Sequence, residues 1–218
     1  MTIMNPRPPV APGEPAPAFA LPSVEGPETV ALADYRGRSA VFLALFRGLY
    51  CPFCRRAIAQ MTQTEDKLRA LGVEALGVVA TTPENARTYF KFRPTRLRLA
   101  ADPEMSTHRA YGVPKPTLTP ELMKAIESVR INPYGDFPEP LPIYEAAGAM
   151  AKLDGYPGNA TDKSEQERHG PQLKGQFLID RDGIVRWVNI ECAAEGPAGM
   201  GKFPPEEEIL AAARALPR

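Results

Sequence analysis

The chain has 218 residues, with 26 basic and 26 acidic side chains, 44% hydrophobic residues, three cysteines and 25 prolines. Zero formal net charge argues against a nucleic-acid binder, which carries a basic excess or stripe, and no apolar stretch approaches the roughly 18 residues of a membrane span. Proline is roughly twice its usual share of about 5%, yet proline and glycine together stay under the quarter of the chain at which disorder becomes the better reading.

The length fits one domain over 1–218. Met1 to Ala18 lacks the apolar core of a secretory signal, so a cytoplasmic protein is expected. In a reducing compartment three cysteines point to chemistry, a metal or buried thiols rather than to a disulfide framework.

The prolines cluster in an N-terminal arm (1–30), in a stretch over 114–171 and near the C-terminus. Regular structure is expected between them, because proline lacks the backbone donor of a helix interior or central strand. Ser39 to Phe46 is a continuous apolar run, the mark of a strand buried on both faces. A helix is expected after Cys51, with Ile58, Met61, Leu68 and Leu71 on one stripe and Gly72 as its stop. Val73 to Ala80 reads as a second buried strand, and Thr82-Pro83 opens a helix to about Phe92. Five basic residues and no acid lie between 87 and 98, a solvated face or a docking patch for an anionic partner. Arg96 to Ala101 reads as a short strand and Pro103 to Tyr111 as a helix.

The 114–171 stretch exceeds the roughly 12–15 residues of ordinary connections. Thr119-Pro120-Glu121 caps a helix to about Val129, and Tyr134 to Tyr144 is irregular and aromatic. Three roles stay open for this insertion: a lid over the site, a homodimer contact, or an elaboration packed on the domain's own edge. Gln176 to Asp180 and Ile184 to Ile190 form a hairpin around Arg181-Asp182-Gly183. Pro204-Pro205 and three glutamates start a last helix. Buried strands alternating with helices and ending in a hairpin define an α/β fold, its sheet parallel in the first half and antiparallel at the end.

The chemistry concentrates at Cys51-Pro52-Phe53-Cys54. Two cysteines three apart on a first helical turn face the same way, and a helix N-terminus stabilises a thiolate. Arg47, Arg55 and Arg56 add positive charge nearby, and Pro52 suits the first helical position. Cys51, at the more exposed end, is the expected nucleophile and Cys54 the resolving thiol. A zinc half-site is the alternative, but its two further ligands would have to come from Cys192, His108 and His169, which lack metal spacing; a pair of inert buried thiols is another. Neither metal nor cofactor is expected. Cys192 reads as a small buried hydrophobe or as a second redox thiol. Gly196 to Lys202 superficially matches a phosphate loop, but Phe203 stands where Ser or Thr is required. Asn159-Ala160-Thr161 matches a glycosylation acceptor, which carries no meaning in the cytoplasm.

The segments PGEPAPAFALPSVEG, LADYRGRSAVFLALFRGLYCPFC, AADPEMSTHRAYGV and LKGQFLIDRDGIVRWV resemble the peroxiredoxin-like redoxins, the alkyl hydroperoxide reductase/thiol-specific antioxidant group of the thioredoxin fold. The resemblance runs from about Pro12 to Trp187. It implies a mixed central sheet flanked by helices, with Cys51 opening the helix after the first core strand. It also implies thiolate attack on a peroxide, a sulfenic acid, and then a disulfide. The partners it implies are a peroxide or disulfide substrate and an external thiol reductant of the thioredoxin or glutathione type.

Three positions depart from the family pattern. Ala44 and Gly48 stand where the family carries proline and threonine, Lys174 stands where it carries an active-site arginine, and the C-P-F-C motif is more similar to glutaredoxin. Lowering a thiol pKa from about 8.5 to about 6 raises the thiolate fraction roughly 30-fold but costs roughly tenfold in nucleophilicity. Peroxide activation therefore rests on donors to the peroxide oxygens, here Arg47, Lys174 and backbone N–H groups. A slower peroxidase than typical members is expected. A dithiol–disulfide oxidoreductase and a non-catalytic thiol sensor are the competing readings.

Overall fold

The structure is a computed structural model and describes residues 7–217. Two short strands, β1 (Ala20–Pro22) and β2 (Thr29–Ala31), pair within the N-terminal arm, followed by a 3₁₀ turn over Leu32–Tyr35. Then come β3 (Ala40–Phe46), α1 (Pro52–Ala70), β4 (Val73–Val79), α2 (Pro83–Phe92), β5 (Arg98–Ala101) and α3 (Ser106–Ala110). The insertion holds α4 (Pro120–Ser128), β6 (Arg130–Ile131), β7 (Leu141–Pro142), α5 (Ile143–Asp154) and α6 (Ala160–His169). The chain closes with β8 (Gly175–Ile179), β9 (Val185–Ile190) and α7 (Glu206–Arg214).

The main sheet runs β5-β4-β3-β8-β9. β3 pairs in parallel with β4, from Ala40 opposite Val73 to Phe46 opposite Val79, and antiparallel with β8, with Leu43 opposite Phe177. The apolar run of β3 is continuous because it feeds two cores. Phe42, Ala44 and Phe46 join Ile58, Met61 and Leu68 of α1 on one face. Val41, Leu43 and Leu45 meet Tyr111, Val113 and Phe177 on the other. Period-2 geometry alternates the side chains, so apolar residues are needed at every position.

The mixed sheet flanked by helices is as expected, and so are α1, α2 and α4, with Pro52, Pro83 and Pro120 at their starts. The hairpin turn is held by the Asp180 carboxylate, which accepts from the Asp182 and Ile184 amides at 2.9 Å each, with Gly183 at φ +82°.

Four expectations are corrected. The arm's residues 7–30 are not merely a proline-rich lead-in: besides β1 and β2, Pro15 bridges Ile184 and Ser23 bridges Ala100; residues 1–6 lie outside the described chain. The helix expected from Pro103 starts at Ser106, because the Asp102 carboxylate takes the Ser106 and Thr107 amides at 3.1 and 2.8 Å. Leu71 does not continue the buried stripe, since it is the C-cap of α1 and 39% exposed. Finally, the insertion contains two unforeseen helices. α5 follows Pro142 without a side-chain cap and stops at Gly155, whose φ is +64°. α6 is polar on every side, so it shows no apolar period. Asn159, met in the sequence as part of a glycosylation match, is its N-cap, in a reciprocal box with Asp162.

Candidate functional site: a buried thiol pair beside an ion triad

Phe46 ends β3, and five residues later Cys51 caps α1. Its backbone is extended (φ −87°, ψ 110°) and its Sγ accepts the Cys54 amide at 3.4 Å. This places the sulfur among the free N–H groups at a helix start, where negative charge is favoured. Both cysteines are free thiols, and both are buried, Cys51 at 6% and Cys54 at 1% exposure. Cys51 is the more exposed of the two, as expected, but both sulfurs are buried.

Gly48 has a steric reason. A Cβ there would lie 2.8 Å from the Ala80 carbonyl oxygen and from the Tyr50 ring. A threonine, as in the family pattern, has no room on this backbone.

Behind the thiols lies an ion triad that the sequence did not reveal. Arg47 donates through Nη2 to Glu191 Oε1 at 3.0 Å and pairs through Nη1 with Oε2 at 3.0 Å; Nη1 also reaches the Gln172 carbonyl at 3.0 Å. Lys174 is fully buried; its Nζ donates to the Gly201 and Lys202 carbonyls at 3.0 Å each and lies 3.3 Å from Glu191 Oε1. Glu191 also accepts the Lys174 amide at 3.1 Å and the Gly201 amide at 2.9 Å. Buried charges survive only when paired and hydrogen-bonded, and this set meets that condition. Nothing in the sequence separates Glu191 from the other acids; only its burial after β9 does. Lys174, read as a donor candidate, is corrected to a fixed charge, since all its N–H groups have partners. Arg47 Nε has no hydrogen-bond partner.

The consequence for the thiols is a division of protonation. Burial opposes ionisation of Cys51, but the hydrogen bond from Cys54 and the charges of Arg47 and Lys174 outweigh it and hold its pKa well below the ordinary thiol value. Burial, the bond to Cys51 and the Cys51 charge push Cys54 well up. Cys192 is also pushed up, to about 12, by burial and by Glu191 beside it. Arg55 and Arg56, expected to support the thiolate, turn away: Arg55 Nε binds Asp154 at 2.6 Å, and Arg56 makes a two-pronged pair with Asp136 at 3.1 Å.

The insertion packs onto the first turn of α1. Tyr134 donates to the Phe53 carbonyl at 3.2 Å, and Asp136 and Asp154 take the two arginines just named. The GPAGMGK stretch is a strap over the triad: Met200 Sδ lies 3.6 Å from Arg47 Nη1, and Gly201 and Lys202 hold Lys174. His169 lies 2.7 Å from the Pro103 carbonyl, and His108 is buried with its pKa lowered to about 4 by that burial. Among the described residues no metal-ligating cluster gathers, and no helix is long and apolar enough to cross a membrane.

A mixed sheet whose first core strand leads into a helix capped by a C-x-x-C defines the thioredoxin-like class of thiol-redox proteins. The AhpC/TSA family pattern matches residues 12–188, and the chain belongs to that family. A Mycobacterium tuberculosis protein named as a peroxiredoxin is 29% identical over 103 residues, 47% of this chain and 64% of its own. The thiol-disulfide oxidoreductase ResA of Halalkalibacterium halodurans is 35% identical over 107 residues, 48% of this chain and 59% of its own. The chain thus spans less than two thirds of the length of these relatives. In fold it is similar to the reduced 2-Cys peroxiredoxin of Plasmodium vivax, with a TM-score of 0.60 at 18% identity over 95% of this chain and 82% of that one.

Proposed function

We propose that the protein is a thiol-dependent peroxide reductase that works through Cys51 and Cys54. The observation that carries this reading is Cys51 Sγ, held as an acidic thiol at the α1 cap between the Cys54 donor and the Arg47 and Lys174 charges. The thiolate attacks one peroxide oxygen, the O–O bond breaks, and the alcohol or water leaves with the displaced electron pair and a proton. Cys51 is then a sulfenic acid. Cys54 sulfur attacks it, hydroxide leaves as water, and a disulfide remains. Arg47, whose Nε has no hydrogen-bond partner, is the donor this reading assigns to the peroxide oxygens. Lys174 acts through its charge. With one arginine donor and no threonine hydroxyl at position 48, the rate falls below that of typical family members.

Dithiol–disulfide exchange is the second reading, favoured by the C-x-x-C spacing and the ResA match. The burial of both sulfurs favours the peroxide, since a protein disulfide needs an open approach and a hydroperoxide group does not. The partners are then a peroxide and a thiol reductant of the thioredoxin or glutathione type.

Steady-state peroxide consumption with a thiol donor is the test, read with mass spectrometry of the oxidised protein. Consumption accompanied by a Cys51–Cys54 disulfide is expected. A protein that leaves peroxide untouched yet reduces a disulfide substrate through Cys51 overturns the peroxidase reading.

A further inference from the structure

Both sulfurs are buried, so a reagent that meets Cys51 must first displace what lies over the start of α1. Three segments distant in the chain press on it, and they are held with different strength. The strap after β9 is fixed from within: Lys174 Nζ holds the Gly201 and Lys202 carbonyls at 3.0 Å each, and Glu191 takes the Gly201 amide at 2.9 Å. Pulling it away would strand buried charges, which is strongly destabilising. α5 is tied through Asp154 to Arg55 at 2.6 Å, and the Arg55 side chain is only 3% exposed, so that tie is shielded from water. The third segment is the tip of the β6–β7 ribbon, residues 132–140.

The tip is attached differently. Among the described residues its polar ties to α1 are the Tyr134 hydroxyl on the Phe53 carbonyl at 3.2 Å and the Asp136–Arg56 pair at 3.1 Å, whose side chains are 25% and 41% exposed. The Arg56 guanidinium also lies 5.6 Å from the centre of the Tyr134 ring. A neutral hydrogen bond and a solvated ion pair are weak restraints. Within itself, however, the tip is firmly built. The Asn132 side chain donates to the Phe137 carbonyl at 2.8 Å and accepts the Phe137 amide at 3.4 Å, while Pro133, Pro138 and Pro140 fix their own φ angles. It joins the domain through a ribbon of two residue pairs, Arg130 with Pro142 and Ile131 with Leu141, too short to be rigid alone. A stiff body on a short ribbon moves as one piece.

We propose that this tip is a gate over the thiol pair and that Tyr134 is its latch, a specificity-determining residue that sets which reagents meet Cys51; the inference rests on the redox reading of the pair. Closed, Tyr134 covers the first turn of α1 and keeps water and bulky reagents from the thiolate. Opening breaks the Tyr134–Phe53 and Asp136–Arg56 ties while the strap and α5 stay in place. The result is a slot of limited width between fixed walls rather than an exposed surface.

The test is alkylation of Cys51 by iodoacetamide in the reduced full chain, followed across pH, with mass spectrometry assigning the modified cysteine. Where the thiolate is fully formed, the rate of a gated thiol scales with the open population. Asp136→Asn and Arg56→Gln each remove the ion pair and are expected to raise that plateau rate about twofold to fivefold. Tyr134→Phe keeps the ring, loses the hydrogen bond, and is expected to raise it about twofold to tenfold. The two ion-pair variants change the local charge in opposite senses, so electrostatics alone would speed one and slow the other. Cys192 is the internal control, its rate staying at the wild-type value when only the tip moves. Unchanged plateau rates in all three variants overturn the proposal. So do opposite changes in Asp136→Asn and Arg56→Gln, or a rise at Cys192 in step with Cys51, which marks loosening of the whole fold. Hydrogen peroxide on the wild type separates the two readings. A Cys51–Cys54 disulfide together with unchanged variant rates sinks only the gate, whereas accelerated variants without a disulfide uphold the gate and sink the redox pair.

Discussion

The start of α1 and the end of β9 each present a cysteine to the same charges, and the two thiols respond oppositely. Arg47, Lys174 and Glu191 act on both. Cys51 is a helix cap that accepts the Cys54 amide, so donors and cations face its sulfur. Cys192 follows Glu191 directly, at a left-handed φ of +65°, and burial together with that carboxylate keeps it protonated. Proximity to cations alone does not make a reactive thiol. What decides is whether hydrogen-bond donors converge on the sulfur and on which side of the ion pair it lies.

The largest effect expected from breaking this contrast is kinetic. Cys51→Ser lowers peroxide turnover by about a thousandfold or more, as for removal of a nucleophile, while Cys192→Ser stays within about twofold, inside the usual range of a neutral substitution. Equal losses in the two variants would place Cys192 in the reaction.

The next largest comes from the triad. Lys174→Met removes one of the two cations that Glu191 pairs with and is expected to cost about 3 kcal/mol of stability in urea unfolding. It also raises the Cys51 pKa, since a nearby cation is lost. In the wild type Cys51 is expected to be alkylated already at about pH 6 to 7, below the ordinary thiol range near 8.5, and the variant is expected to slow there. The sign follows from the depressed folded value: this thiol stabilises the reduced protein fully above its unfolded pKa, and the contribution fades as pH falls through the folded one. An unchanged alkylation profile in Lys174→Met would remove the lysine from the electrostatics of the site.

A smaller effect is expected from the strap. Gly201 has φ +81°, and a Cβ there would lie 2.9 Å from the Phe53 ring. Gly201→Ala should cost about 1–3 kcal/mol in thermal or denaturant unfolding through backbone strain and overpacking. A neutral result would mean that the strap moves away from α1 at no expense.

The buried strands of the main sheet and the thiol pair are legible in the sequence because their signals are local. A continuous apolar run marks a strand with two buried faces, and Cys-Pro-x-Cys before a helical stripe marks a cap. The rest depended on distance along the chain. Glu191 meets Arg47 across 144 positions, and no local pattern announces that. α6 gave no periodic signal because its side chains are polar all round, and α5 begins without a capping side chain. The depth of the pair is non-local in the same way: helix position predicts the free N–H groups and the order of exposure of Cys51 and Cys54, but not that both are buried.

Gly48 bears on which neighbouring sequences this protein can reach. With the Ala80 carbonyl and the Tyr50 ring occupying the volume of any Cβ at 48, the threonine of the family pattern is not one substitution away. It would have to arrive together with a smaller residue at 50 and a shift of the chain after β4. Gly48 and Tyr50 therefore form an epistatic unit. A lineage that holds this pair keeps position 48 without a hydroxyl, and a designer wishing to place one there must rebuild the loop rather than edit a single codon.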